Sequence, residues 1–465
     1  MSPIQTEHLD ALIIGTGQAG KPLAGAFAEA GWRTAIVERD RVGGTCVVRG
    51  CTPTKTMVAS ARVAHLARRA GDYGVRTGTV SVDMEVVRRR KRDIVDSWSE
   101  GSRRGMERHD SLELIMGDAR FVDERTLEVA LEDGGVRHLE ADRVFLNTGA
   151  RPRLPPVKGL DGVPFLDSTS VMELGRVPEH LLVLGGGFIG LEFGQMFRRF
   201  GARVTVVQAA PHLVPREDED VSEAIREIFE EDGIRVLTEA TAVGVEADGS
   251  EVILRVTSSE GDTEELQGSH ILVAAGRMPN TDSLDLSATG LSPDEEGFVP
   301  VNDRLETSRE GIWALGDVNG GPPFTHTAYD DFRVVRENVL GEGGASRAGR
   351  IGTYSLFIDP QLGRVGLTER EAREAGHDVR VATLPMSRVA RAMEMDETRG
   401  FMKAVVDAET DLILGAAILG VEGGEVAAVL LAAMLGDLPY TSLRDAAIAH
   451  PTLAESLNNL FGTLD

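Results

Sequence analysis

Hydrophobic and polar positions near the start of the chain follow the order strand, glycine turn, helix, strand. The apolar run Ala11-Leu12-Ile13-Ile14 predicts a buried strand, and Gly15-Thr16-Gly17-Gln18-Ala19-Gly20 follows it directly. A helical stretch to about Ala30 leads to a second strand, Thr34-Ala35-Ile36-Val37, which ends at Glu38. The glycines permit a tight turn and close approach of a pyrophosphate, the helix start can bind the phosphates, and Glu38 can take the ribose hydroxyls. This order predicts a dinucleotide-binding fold.

The same pattern returns in the middle of the chain. A strand over 181–184 leads into Gly185-Gly186-Gly187-Phe188-Ile189-Gly190, then a helix to about Phe200 and a strand over 204–207 that ends at Gln208. Glu38 follows the first glycine of its motif by 23 positions, and Gln208 does the same in its copy. Two modules predict two bound dinucleotides. The neutral Gln208 lacks the charge that repels a 2′-phosphate but supplies no positive partner, so it favours NADPH while leaving NADH open.

The two cysteines of the chain, Cys46 and Cys51, lie five positions apart. A structural disulfide across so short a loop adds little to a fold with large cores, so we favour redox chemistry over a metal pair or inert thiols. Glycines precede the pair, and the apolar-periodic stretch 57–70 follows Pro53. This pattern predicts a helix that begins near the pair, where the helix dipole and free N–H groups stabilise a thiolate.

Composition narrows the functional classes. The chain has 465 residues and a formal net charge of -25, which disfavours binding to nucleic acid and to anionic membranes. The stretch Met1–Asp10 lacks the basic region of a secretory signal, and the apolar stretch Val426–Leu435 is about half of the roughly 20 residues that a membrane span needs. The basic run Arg88-Arg89-Arg90-Lys91-Arg92 is interpreted as a solvated helix face. We therefore expect a cytoplasmic protein without membrane or nucleic-acid partners.

Together the motifs resemble the pyridine nucleotide–disulfide oxidoreductases, which include dihydrolipoamide dehydrogenase, glutathione reductase and mercuric reductase. The resemblance spans essentially the whole chain and includes Lys55, four residues after the cysteine pair. Four further segments are similar to family motifs: Asn147-Thr148-Gly149-Ala150-Arg151-Pro152, Ala274-Ala275-Gly276-Arg277-Met278-Pro279-Asn280, Ala314-Leu315-Gly316-Asp317 and His450-Pro451-Thr452-Leu453-Ala454-Glu455.

The resemblance implies an α/β architecture with two doubly wound, Rossmann-like dinucleotide-binding domains and a C-terminal α+β dimerisation domain. The two chain crossings place an FAD-binding domain at 1–152 and 277–345 and an NAD(P)-binding domain at 153–276. The interface domain then covers 350–465. In related enzymes the C-terminal histidine serves the other subunit, so the resemblance also implies a homodimer.

The resemblance further implies that electrons pass from NAD(P)H to FAD and then to a Cys46–Cys51 disulfide. Cys51 would be the charge-transfer thiolate and Cys46 the interchange thiol. Lys55 and Glu192 would form an ion pair near the flavin, and His450, held by Glu455, would exchange a proton with Cys46. The residues expected to bind the FAD and the NADPH or NADH are Gly15, Gly17, Gly20, Glu38, Gly44, Thr45, Lys55, Ala119, Thr148, Gly149, Asp317, Thr325, His326, Gly185, Gly187, Gly190, Gln208, Gly276 and Arg277.

Finer features separate branches of the family. Pro53-Thr54-Lys55, the segment 324–333 and the ending 456–461 look most like mercuric-reductase-like flavoproteins and the copper-reducing flavoprotein of bacterial reactive-chlorine defence. The chain lacks the C-terminal cysteine pair of mercuric reductases, and no resident metal is expected. We expect an NAD(P)H-dependent reductase of a metal ion or small oxidant. A dihydrolipoamide dehydrogenase that meets a lipoyl domain, and a flavin redox sensor that signals to a protein, stay open as alternatives.

Overall fold

The computed structural model describes residues 6–249 and 251–464, so half of the N-terminal stretch considered above lies outside the described residues. The strands are β1 (Thr6–Ile14), β2 (Thr34–Glu38), β3 (Leu112–Asp123), β4 (Thr126–Leu131), β5 (Val136–Leu146), β6 (Ala150–Pro152), β7 (His180–Leu184), β8 (Arg203–Val207), β9 (Arg235–Leu237), β10 (Ala240–Asp248), β11 (Glu251–Ser258), β12 (Thr263–Gly268), β13 (His270–Val273), β14 (Arg277–Pro279), β15 (Ile312–Ala314), β16 (Thr353–Leu356), β17 (Gln361–Gly366), β18 (Val379–Pro385), β19 (Phe401–Asp407) and β20 (Ile413–Gly420). The α-helices are α1 (Gly20–Glu29), α2 (Gly44–Val48), α3 (Cys51–Arg69), α4 (Met84–Met106), α5 (Phe188–Phe200), α6 (Glu219–Glu231), α7 (Thr325–Leu340), α8 (Glu369–Glu374), α9 (Ala390–Glu394), α10 (Gly423–Leu435), α11 (Tyr440–Arg444) and α12 (Ser456–Phe461).

One compact unit holds the described residues of Met1–Thr56, Val86–Arg153 and Gly276–Gly349. In its main sheet β1 pairs in parallel with β2 on one side and with β5 on the other, and β3 and β15 extend the sheet in parallel. β4 runs antiparallel to β3 and β5. The carboxyl ends of β1 and β2 lie side by side, so the first glycine motif and Glu38 meet at one edge of the sheet.

The second unit holds the described residues of Met57–Glu85, Leu154–Ala275 and Arg350–Asp465. Its parallel sheet has the order β13-β7-β8-β9 and repeats the arrangement of β1 and β2 around the second glycine motif. An antiparallel sheet of β10, β11 and β12 comes from the same stretch of chain. The C-terminal region forms an antiparallel sheet of order β16-β17-β20-β19-β18 with α10 packed on it, which gives the α+β character predicted there.

Burial on both faces explains the continuous apolar run of β1. Ala11 and Ile13 join a core cluster with Phe27 of α1, whereas Leu12 and Ile14 join the cluster on the opposite face. A parallel strand covered on both faces needs apolar residues at every position. The end of this strand therefore places the first glycine motif on a rigid support.

The helices bear on the basic run 88–92 and on the question of a membrane span. Lys91 lies on α4 and is only 4% exposed, so the expectation of a wholly solvated basic face is wrong at this residue. The reason is helical spacing, because Lys91 shares one face of α4 with the buried Met84, Val95 and Ser99. Within the described part of the chain, no helix has the length and apolar character needed to cross a membrane.

Candidate active site

The first glycine motif is a turn that only glycine fits. Gly15 has a φ of +102°, and a Cβ there would lie 2.4 Å from the backbone oxygen of Asn147. A Cβ on Gly20 would lie 2.3 Å from the backbone oxygen of Gly15. The side-chain amide of Asn147 donates to that same Gly15 oxygen at 3.1 Å. Asn147 was not among the predicted site residues, although its place directly after β5 was a usable signal.

Glu38, at the end of β2, hydrogen-bonds this turn. Its Oε2 accepts hydrogen bonds from the Thr16 backbone N–H at 3.0 Å and from the Thr16 hydroxyl, while Oε1 accepts from the Asp40 N–H at 3.1 Å. The carboxylate is thereby fixed at the sheet edge beside the motif. Ala119 is buried in β3, three positions beyond Met116, which is the β3 partner of Glu38. A nucleotide seated on the glycine turn would meet these groups.

The two cysteines lie on two consecutive helices. Cys46 is half-buried on α2, next to the exposed Thr45, and Cys51 is exposed at the first position of α3. A hydrogen bond with Cys51 is the main cause that raises the pKa of Cys46, and burial adds to it. A Cβ on Gly44 would lie 2.6 Å from the Cα of Gly17, so the cysteine segment packs directly on the first glycine motif.

Two further groups act on these thiols. The hydroxyl of Thr325, at the start of α7, lies 3.2 Å from the Cys51 sulfur and also lowers the pKa of Cys46 by hydrogen bonding. Lys21 lowers that pKa by its charge, and its ammonium donates to the Ser102 hydroxyl at 3.2 Å. Thr325 was predicted as a cofactor residue rather than a partner of the thiol. Lys21 was not predicted, although lysine is rare in this chain.

Other predicted cofactor residues of the same unit can be located around this centre. Asp317 follows β15, and burial raises its pKa although Arg277 lies 3.9 Å away. His326 is on the first turn of α7, with its ring stacked on Phe324. Gly149 and Gly276 adopt positive φ values of +67° and +112°, and a Cβ on either would meet no heavy atom within 4 Å in the described part of the chain.

Thr148 gives a separate indication of a ligand in this unit. Its hydroxyl oxygen is buried and has no hydrogen-bond partner within residues 6–249 and 251–464. A buried polar atom of this kind calls for a partner outside the polypeptide. The residues of this unit therefore fit a bound flavin nucleotide.

The second glycine motif repeats this construction. A Cβ on Gly190 would lie 1.9 Å from the backbone oxygen of Gly185, so the motif again requires glycine. Gly187 is different, because the described chain leaves the space around its hypothetical Cβ open. At the end of β8, Gln208 accepts from the Gly186 N–H at 3.0 Å and donates to the His212 carbonyl at 3.2 Å. The open side of Gly187 fits close approach of a nucleotide.

The remaining predicted catalytic residues fall at three places. His450 is 67% exposed, and its Nδ1 lies 2.9 Å from Oε2 of Glu455. A carboxylate at Nδ1 favours the tautomer in which Nε2 exchanges protons. Glu192 is buried on α5 and accepts from the Phe357 N–H at 2.9 Å. Lys55 is half-buried on α3, and its pairing with Glu192 stays a prediction. Within the described residues, no cluster of three or more metal-ligating side chains is found.

Comparison with known families supports the interpretation of both units. Residues 9–331 match the family described as "Pyridine nucleotide-disulphide oxidoreductase". Residues 353–461 match "Pyridine nucleotide-disulphide oxidoreductase, dimerisation domain". These two matches cover most of the chain.

Individual relatives match nearly end to end. The probable pyridine nucleotide-disulfide oxidoreductase RclA of Escherichia coli (strain K12) is 38% identical over 97% of this chain and 98% of that protein. A mercuric reductase of Lysinibacillus sphaericus is 35% identical over 99% and 84%, and a dihydrolipoyl dehydrogenase of Thermus scotoductus is 35% identical over 96% and 95%. The structure of the Cu(II) complex of HOCl-induced flavoprotein disulfide reductase RclA from Escherichia coli superimposes with a TM-score of 0.90, at 37% identity over 99% of this chain and 100% of that one.

Proposed function

Because the chain belongs to the pyridine nucleotide–disulphide oxidoreductase family, we propose that it uses NAD(P)H to reduce a metal ion or small oxidant through Cys46 and Cys51. The predicted family, the α/β fold class with a C-terminal dimerisation domain, and the oxidoreductase class are confirmed. The observation that carries the proposal is the place of the cysteine segment, which packs directly on the first glycine motif and has the Thr325 hydroxyl 3.2 Å from the Cys51 sulfur.

The family implies FAD and a pyridine nucleotide, and two sets of residues fit them. We assign FAD to the first glycine motif with Glu38, Thr148 and Asp317, and NAD(P) to the second motif with Gln208. The corresponding domains are 1–152 with 277–345 for FAD, 153–276 for NAD(P) and 350–465 for the interface. When bound, FAD supplies two-electron transfer between the nicotinamide and the disulfide.

The thiols provide a balanced two-electron reaction. One NAD(P)H and one proton convert the Cys46–Cys51 disulfide into two thiols and NAD(P)⁺. The two thiols then lose their protons, and the two thiolates can reduce two Cu²⁺ to two Cu⁺ as the disulfide forms again. Thiolates are also the ligands that soft metal ions prefer. The hydrogen bond with Cys51 and burial raise the pKa of Cys46, and Thr325 and Lys21 oppose that rise.

His450 is the proposed proton carrier for the thiol pair. Its contact with Glu455 holds Nδ1, so Nε2 can take a proton from Cys46 across the proposed homodimer interface and return it. We propose a homodimer formed through the C-terminal region, in line with its match to a dimerisation domain. We place the reaction in the cytoplasm, where thiol pools keep such a pair reducible.

A dihydrolipoamide dehydrogenase is the second candidate. The 35% identity to a dihydrolipoyl dehydrogenase and the His450–Glu455 contact both favour it. In that case the pair would be reduced by dihydrolipoamide and NAD⁺ would take up the electrons. A lipoyl domain would then be the protein partner.

Anaerobic steady-state rates of the purified protein distinguish these functions. NADPH and NADH oxidation is measured with Cu²⁺ or Hg²⁺ in the presence of excess thiol, and NAD⁺ reduction is measured with dihydrolipoamide. The Cys46→Ser/Cys51→Ser double variant measures the NAD(P)H oxidation that does not pass through the thiol pair. Fast metal-dependent oxidation with slow lipoamide turnover is expected. Fast NAD⁺ reduction by dihydrolipoamide would overturn the metal-reductase proposal, and slow turnover with every acceptor would favour a redox sensor.

A further inference from the structure

The segment that follows β8, residues Gln208–Glu217, is fitted closely to the second glycine motif. Gly186 donates its N–H to Gln208 and accepts from the Val214 N–H at 3.0 Å. A Cβ on Gly186 would lie 2.6 Å from the Leu213 side chain. Leu213 and Val214 are 1% and 2% exposed. The conformation of the segment and that of the glycine motif are therefore linked.

The segment needs contacts that hold its conformation, because the backbone conformation at Val214 is unfavourable. Val214 has a φ of +40°, which is rare for a β-branched residue. Such a conformation persists only where surrounding contacts hold it. The Glu217 N–H donates to the Val214 carbonyl at 2.9 Å, so Glu217 is the nearest point from which this turn can be held.

Glu217 is held by two side chains of the C-terminal sheet. Its carboxylate is fully buried and accepts from the Arg364 Nε at 3.3 Å, from a second nitrogen of that guanidinium, and from the Tyr354 hydroxyl. Arg364 lies on β17 and is 2% exposed, and Tyr354 lies on β16. Burial is the main cause that raises the pKa of Tyr354, so its hydroxyl stays a donor at neutral pH. Glu217 and Arg364 are buried and Tyr354 is half-buried; the three residues are called the buried triad below.

The buried triad also reaches the glycine motif directly. The ring of Tyr354 packs on the ring of Phe188, with centroids 5.1 Å apart and planes at 47°. Phe188 lies between Gly187 and Gly190 and is the first residue of α5. The buried triad thus contacts the second glycine motif at Phe188 and also holds the segment Gln208–Glu217, which packs on Gly186.

We propose that the buried triad positions the second glycine motif for the pyridine nucleotide and so sets the affinity of the enzyme for NAD(P)H. The inference rests on the proposed assignment of NAD(P) to that motif. The three residues are positioning residues, since they act through Gly186 and Phe188. Their loss should raise KM for the nucleotide and leave the dithiol chemistry unchanged.

The first test is Tyr354→Phe, which keeps the ring on Phe188 and removes the hydroxyl that binds Glu217. Tyr440→Phe is the matched control, because Tyr440 is a buried tyrosine of the same unit, and its ring contacts the Arg380 guanidinium at 5.1 Å. We expect KM for NADPH and NADH to rise about tenfold in Tyr354→Phe, with kcat within twofold of wild type. The charge-transfer absorbance that forms on two-electron reduction by dithionite, which needs no nucleotide, should be unchanged. Tyr440→Phe should keep the wild-type KM.

A second variant tests the same role without leaving a buried charge unpaired, which could prevent folding. Removing Arg364 alone would leave a buried unpaired carboxylate, so Glu217→Gln/Arg364→Met is used to replace the ion pair by a neutral pair of similar volume. The same rise in KM is expected. An unchanged KM in both variants, or an equal rise in Tyr440→Phe, would overturn the positioning role.

Gly187→Val separates this outcome from failure of the nucleotide assignment. The open space at Gly187 is the proposed nucleotide surface, so the variant should lose NAD(P)H turnover while the charge-transfer absorbance formed on reduction by dithionite persists. If Gly187→Val keeps full NAD(P)H turnover, the assignment of the second motif is wrong and the inference is overturned with it. If Gly187→Val is inactive but Tyr354→Phe has a normal KM, only the positioning role is wrong.

Discussion

The contact between Thr325 and Cys51 gives a sharp prediction about the thiolate. The Thr325 hydroxyl lies 3.2 Å from the Cys51 sulfur, and a hydrogen bond donated to a thiolate stabilises the charged form. Thr325→Val removes the donor and keeps the shape, so it should raise the pKa of Cys51. The effect should fall in the range of an ordinary hydrogen bond, about 0.5–1.5 kcal/mol. That range corresponds to about a 2- to 12-fold smaller proton-dissociation constant.

The assay is a pH titration of the long-wavelength charge-transfer absorbance in the anaerobic two-electron-reduced protein. The midpoint should move to higher pH in Thr325→Val. Thr325→Ser keeps the hydroxyl and should titrate as wild type does, which controls for disturbance of the α7 start. Coincident titrations of wild type and Thr325→Val would refute the reasoning, and so would an equal displacement in Thr325→Ser.

Three further predictions concern the redox pair, the nucleotide and stability. Cys51→Ser should abolish the charge-transfer absorbance of the two-electron-reduced protein, and a band that persists would show that the role assignment is wrong. Gln208→Glu should raise KM for NADPH about tenfold or more with little change for NADH, because an acid at this position repels a 2′-phosphate, and steady-state kinetics with both donors test this. Lys403→Met should reduce the free energy of unfolding at pH 7 by about 3 kcal/mol, because Lys403 is 4% exposed and contacts Asp218 and Glu369. Burial raises the pKa of these two carboxyls, but hydrogen bonds and the charge of Lys403 outweigh burial and hold both pKa values below normal. The stabilisation is therefore present above the ordinary carboxyl pKa and is lost as the pH falls through the lowered pKa values. Denaturant unfolding should therefore give a difference between wild type and Lys403→Met that shrinks in acid, whereas a constant difference would contradict the argument.

Local patterns carried most of the fold prediction. The first glycine motif was predictable because strand, turn and helix follow one another within a few residues, and each needs a distinctive composition. β1 begins at Thr6, earlier than the predicted start at Ala11, because its first residues are polar and give no apolar signal. The helix after the cysteine pair begins at Cys51 itself, as the position of Pro53 favoured.

Contacts between distant residues were the part that the sequence alone could not supply. Thr325 follows Cys51 by 274 positions, so nothing in either neighbourhood signals their contact. Asn147 reaches Gly15 across 132 positions. The prediction for Lys91 failed for a related reason. A basic run in the sequence indicates exposure, but the position of each residue on the helix decides which of them are buried. Which residues contact each other depends on how helices and strands pack, and a single sequence records that packing only indirectly.

The two strand-end residues show how one position can combine structure with specificity. Glu38 accepts from the Thr16 N–H and Gln208 accepts from the Gly186 N–H, both at 3.0 Å. Thr16 and Gly186 are equivalent, since each is the second residue of its glycine motif. The shared 23-residue offset therefore reflects a shared hydrogen bond, in which a side chain of glutamate length reaches back from the strand end to the turn. Glutamine has the same length and an equivalent acceptor oxygen, so the charge can change without loss of this bond. We therefore expect that the preference for NADPH or NADH can be altered at Gln208 while the turn proposed to bind the pyrophosphate keeps this hydrogen bond.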